Sequence, residues 1–123
     1  MKNNIRLFVI VASILFSFAA IAQTTKTVHL DQTPGEFAKK ELTLKAGETY
    51  VFEVANKGID HKVGFVIAPK DKLDQKHHVK NAYLSTTISD GEVASSKEVV
   101  LEKGEYVYFC PLNPTPKYAL KVE

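Results

Sequence analysis

The chain has 123 residues, room for one domain, and carries 16 Lys and Arg against 14 Asp and Glu. Two of the basic residues, Lys2 and Arg6, fall within the first 22 positions, so the remainder holds 14 charges of each sign and is formally neutral. That balance excludes the basic stripe that nucleic-acid binding requires, and a single cysteine, Cys110, excludes an internal disulfide.

The chain opens with Lys2 and Arg6, followed by an almost wholly apolar run from Leu7 to Ala20 and the small-residue pattern Ala20-Ile21-Ala22 before Gln23. Positive start, short apolar core and cleavage pattern together predict a secretory signal peptide over 1–22. The apolar core is too short for a membrane span, and no cysteine follows it as a lipid attachment point. The expectation is an exported domain over residues 23–123, periplasmic or extracellular, with no stable membrane insertion after cleavage. In such a compartment a lone thiol is buried, metal-bound or paired with another chain.

Within that domain hydrophobic residues recur with the period of two that marks strands. Lys26 to Leu30 alternates weakly and ends at the turn signal Thr33-Pro34-Gly35. Lys39 to Lys45 places Leu42 and Leu44 inward, Ala46-Gly47 turns the chain, and Thr49 to Ala55 puts Tyr50, Phe52 and Val54 on one face. After the loop Asn56-Lys57-Gly58 comes a predicted strand from His61 to Ile67, ended by Pro69. Asp71 to Ala82 is charged and lacks strand character; it reads as a short helix or irregular excursion. A short strand is predicted over Tyr83 to Ser89, a turn at Asp90-Gly91, and a strand over Lys97 to Glu102 with Val99 and Leu101 inward. Lys103-Gly104 leads into Tyr106-Val107-Tyr108-Phe109-Cys110, apolar on both faces and therefore central to a sheet. Pro111, Pro114 and Pro116 stiffen the loop that follows, and Tyr118 to Val122 is a last strand. Seven or eight short strands separated by regular turn signals predict an all-β antiparallel sandwich or barrel.

Three stretches resemble the cupredoxin (blue-copper) family of the plastocyanin and azurin kind: Leu42-x-Leu44-x-Ala46-Gly47-Glu48-x-Tyr50-x-Phe52, Asn56-Lys57-Gly58-Ile59-Asp60-His61, and Gly104-Glu105-Tyr106-x-Tyr108-Phe109-Cys110-Pro111. The resemblance implies a Greek-key β-sandwich, with His61 and Cys110 as copper ligands and a single-electron-transfer or copper-carrier role. In the family the second His and an axial Met follow the Cys, in keeping with a site of two imidazoles, one thiolate and a weak axial ligand. Here the loop reads Pro111-Leu112-Asn113-Pro114-Thr115-Pro116-Lys117-Tyr118-Ala119-Leu120, with Lys117 where the His is expected and Leu120 near the place of the Met. Asn113, His77 and His78 are further candidate ligands.

His29, between Val28 and Leu30, is expected to point outward in a structural role. A second reading is a cupredoxin-like module that has lost its metal and serves as a protein-interaction domain, with Leu112, Pro114 and Tyr118 as its docking surface. Under the first reading the partner is a protein that exchanges electrons or copper. Enzymatic hydrolysis finds no support: Ser89, Ser95 and Ser96 lack a G-x-S-x-G setting and no acidic pair accompanies a histidine.

Overall fold

The computed structural model describes residues 24–123, so the predicted signal peptide lies outside the described residues. Among the described residues nine strands form two sheets. They are β1 (Thr25–Thr33), β2 (Glu36–Phe37), β3 (Glu41–Leu44), β4 (Thr49–Asn56), β5 (Val66–Pro69), β6 (Val93–Ser95), β7 (Val99–Val100), β8 (Gly104–Phe109) and β9 (Tyr118–Val122). One sheet has the order β2-β1-β4-β6, with β7 also on β4; the other runs β3-β9-β8-β5.

The first departure from expectation is the direction of two pairings. β1 runs parallel to β4 and β3 parallel to β9, where an antiparallel sandwich was expected. The cause is the arching of the chain between sheets. It leaves β1, enters the other sheet as β3 and returns as β4, and two reversals restore the original direction. Gly35 (φ 76°) and Gly47 (φ 77°) make the two turns on this path, in the left-handed region where a side chain is strained.

Alternation predicted the inward faces well. Tyr50, Phe52 and Val54 of β4 are buried, as are Leu120 and Val122 of β9 and the pair Val99 and Leu101. Their rings and methyls fill the space between sheets together with Phe37, Phe65, Tyr108 and Tyr118. Phe37 stands edge-on to Phe65, Tyr108 and Tyr118 at centroid distances of 5.9, 5.4 and 6.0 Å.

Elsewhere the predicted strands shrink. The His61 to Ile67 segment becomes regular only at Val66, and Pro69 is the last residue of β5 rather than a stop before it. Tyr83 to Ser89 makes no strand and holds on through two isolated bridges, Leu84 to Ser96 and Ile88 to Val63. The Asp71 to Ala82 excursion contains two 3-10 turns, Gln75–His77 and Lys80–Ala82. Its Val79 N–H donates to the Ile67 carbonyl (2.8 Å), which covers the free edge of β5.

Candidate metal centre

β8 ends at Phe109 and hands the chain to Cys110, whose side chain lies on the inward face shared with Tyr108 and is only 4% exposed. Three backbone N–H groups donate to its sulfur: Gly64 at 3.4 Å, Leu112 at 3.4 Å and Asn113 at 3.1 Å. The last two come from the turn that follows Cys110, and the first from the segment that carries His61. A neutral thiol is a weak acceptor. Three peptide dipoles aimed at one sulfur are the surroundings suited to a sulfur bearing negative charge, as a metal-bound thiolate does. Two residues upstream, burial pushes the Tyr108 phenol up to about 12, so it stays a neutral donor to the Lys39 carbonyl.

His61 arrives at the same end of the sandwich. Asn56, buried at the end of β4, donates through Nδ2 to the carbonyls of Ile59 (3.2 Å), His61 (3.1 Å) and Ile88 (3.2 Å), and its Oδ1 accepts from Ile59 N (3.0 Å). The backbone of the loop is thus fixed, while the His61 ring is exposed. Its Nδ1 meets the Lys62 carbonyl at 3.1 Å. A carbonyl can only accept, so Nδ1 carries the proton and Nε2 of the neutral ring keeps a free lone pair. Metal-binding histidines are commonly oriented in this way.

The other candidates are placed differently. Asn113 is buried with its amide engaged at both ends: Oδ1 accepts from Gly35 N (3.1 Å), and Nδ2 donates to Gln32 Oε1 (3.0 Å) and the Thr33 carbonyl (3.1 Å). His77 pairs with Asp74 at 2.8 Å. His78 has both nitrogens occupied: Nε2 donates to the Leu73 carbonyl (3.0 Å) and Nδ1 accepts from the Tyr83 hydroxyl (2.7 Å). Its ring stands edge-on to Phe109, 6.1 Å away, on the outer face of the sheet, opposite the sulfur. The Lys117 ammonium lies over the same Phe109 ring at 5.1 Å, again on the outer face. His29 pairs with Glu53 across β1 and β4 at 3.0 Å and is exposed, in line with its expected outward direction.

The expected docking residues divide. Leu112 is 50% exposed and lines an open apolar groove of about 310 Å³ together with Gly64, Phe65, Tyr83, Leu84 and Pro111, and Pro114 is at the surface. Tyr118, by contrast, is buried in the core 5.4 Å from the Tyr108 ring, and its oxygen accepts from Phe37 N. It belongs to the packing of the sandwich because it shares the inward face of β9 with Leu120 and Val122.

Gln32 is the residue that the sequence reading passed over. It is fully buried at the end of β1, and bonds both Gly64 and Asn113. Extending the β1 alternation past Leu30 by two positions places a polar side chain on an apolar face, which is the signal that marks it.

Among the described residues no group of three or more His, Cys, Asp and Glu side chains converges as a metal site. The donors present do not fit the four-ligand blue-copper set. Of that set of two imidazoles, one thiolate and a weak axial ligand, this part of the chain offers one cysteine and one histidine.

No family model matches the chain. It is 35% identical over 101 residues to the chloroplastic plastocyanin of Chlamydomonas reinhardtii, a match covering 81% of this chain and 66% of that protein. Among solved structures it is similar to auracyanin B, at a TM-score of 0.66 and 16% identity, with 85% of this chain and 93% of that one covered. It is likewise similar to auracyanin A, a "blue" copper protein from Chloroflexus aurantiacus, at a TM-score of 0.64 and 16% identity over 81% and 100% of the two chains. The sandwich, its strand order and these likenesses together make the chain a member of the cupredoxin family.

Proposed function

We propose that the protein is an exported copper-binding cupredoxin, holding cuprous copper through Cys110 and His61 and passing it to a protein partner as a copper carrier. The observation that carries this reading is the buried Cys110 sulfur with its three N–H donors, one of them from Gly64, three residues after a histidine whose Nδ1 is engaged by the Lys62 carbonyl. Copper, when bound, supplies a one-electron couple and a soft Lewis acid. The chain supplies the rest. Cys110 offers the thiolate, the N–H groups of Gly64, Leu112 and Asn113 balance its charge, and the sandwich keeps water from the sulfur. A carrier role is favoured over single-electron transfer because nothing among the described residues replaces the second imidazole. Low coordination suits Cu(I) but leaves Cu(II) poorly served. Export rests on the 1–22 segment, and the role is binding rather than catalysis.

A second reading is a metal-free module that docks a protein through Leu112 and Pro114. It is favoured by the engagement of Asn113, His77 and His78 elsewhere and by the apolar groove beside Leu112.

The test uses residues 23–123, reduced, with one equivalent of Cu(II) and in parallel with Cu(I) against a competing chelator. The carrier reading expects stoichiometric Cu(I) binding that Cys110→Ser abolishes, and no intense thiolate-to-Cu(II) band. Such a band, absent in Cys110→Ser, would instead establish an electron carrier. Failure to bind either ion would leave the docking module.

A further inference from the structure

We infer that Gln32 and Asn113 are positioning residues for the Cys110 sulfur, forming a buried amide clamp that holds two of its three N–H donors in place. Gln32 is 0% exposed and its two amide ends face different segments. Nε2 donates to the Gly64 carbonyl at 3.1 Å, and Oε1 accepts from Asn113 Nδ2 at 3.0 Å. Gly64 and Asn113 are the residues whose own N–H groups reach the sulfur from across the sandwich and from the following loop.

Each donor is thus anchored on its other side by the same side chain. Asn113 is tied further by the Thr33 carbonyl, at the end of β1, and by Gly35 N in the turn that follows. The clamp draws on three parts of the chain to fix one atom. A full amide inside an apolar sandwich costs several kcal/mol unless its hydrogen bonds are made, as they are here. An apolar residue at position 32 would fill the same space at less cost, so packing alone does not explain a glutamine there.

The clamp also accounts for the loop sequence. Asn113 sits in a stretch punctuated by Pro111, Pro114 and Pro116, which have no N–H to give. Leu112 and Asn113 are the residues of the 111–114 turn that can donate to the sulfur, and Asn113 is the one with a side-chain anchor.

The bearing of the clamp on copper rests on the proposed Cu(I) reading, so its test carries a readout free of metal. The experiment compares Asn113→Ala, which keeps its backbone N–H but loses its anchors, with Val99→Ala, a core truncation at the opposite end of the sandwich. Gln32→Leu serves as a second clamp variant. Amide hydrogen exchange of Gly64 and residue 113 is followed by NMR in the metal-free chain, and Cu(I) affinity is titrated against a chelator.

The expected result is exchange at these two amides accelerated about tenfold beyond that in Val99→Ala, with Cu(I) affinity lowered about tenfold, the usual range for outer-shell partners. Exchange no faster than in Val99→Ala overturns the clamp. Selective loosening in a chain whose wild type binds no Cu(I) upholds the clamp and removes the copper reading. Loosening with wild-type Cu(I) affinity retained overturns the role of the clamp in metal binding.

Discussion

Cys110 and His61 reach the same end of the sandwich and are held in opposite ways. The sulfur is buried, receives three N–H groups and has two of those donors braced by Gln32 and Asn113. The histidine has a fixed backbone, through Asn56, and an exposed ring whose Nδ1 meets its neighbour's carbonyl. One donor is specified by the core and the other by a loop. The surroundings of the sulfur are therefore set by the sandwich itself, because the N–H donors and their anchors belong to it, whereas the ring of His61 is left to its loop.

The sharpest way to break this contrast is to remove each donor in turn. Cys110→Ser is expected to abolish Cu(I) binding, whereas His61→Ala is expected to lower affinity without abolishing it, measured by chelator competition. Equal losses would mean that the exposed ring contributes as much as the buried sulfur.

A smaller effect tests the rigidity of the sulfur side. The Tyr108 phenol is raised from 10.0 to about 12 by burial, so its neutral form is favoured in the folded chain. Its contribution is fully present below pH 10 and is lost as pH rises toward 12, because the unfolded phenol ionises first. Denaturant titrations across that window should show stability falling toward the upper end, and Tyr108→Phe should remove that part of the slope.

The smallest change is expected at Lys117. Its ammonium covers Phe109 on the face away from the sulfur, so Lys117→His should alter Cu(I) affinity by less than about twofold, as surface substitutions do. A sharp rise would show that the loop can swing a side chain from the outer face to the inner one.

The sequence was most legible where alternation is long. Tyr50, Phe52 and Val54 declare the inward face of β4, and Leu120 and Val122 that of β9. β2 and β6, two and three residues long, are too short for any period to register. The parallel pairings follow from the arches between sheets, which no local pattern records. Tyr118 was readable from its phase with Leu120 and Val122, yet its neighbours in the proline loop suggested surface. Asn113 was visible as a polar loop residue beside the cysteine. Its partner Gln32 lies 81 positions away, and only the folded chain shows that the amide is committed to structure.

That separation of 81 residues has a kinetic consequence. Strand β1 emerges early and the loop carrying Asn113 almost last, and β3 must wait for β9 to find its parallel partner. Sandwiches built on such distant pairings fold over milliseconds to seconds rather than microseconds. Throughout that interval Cys110 is an open thiol among whatever oxidants surround it. The yield of protein with its sulfur intact should then be set by a race between closure of the last strand and oxidation, and a slower-folding variant would lose thiol without any change in its finished structure.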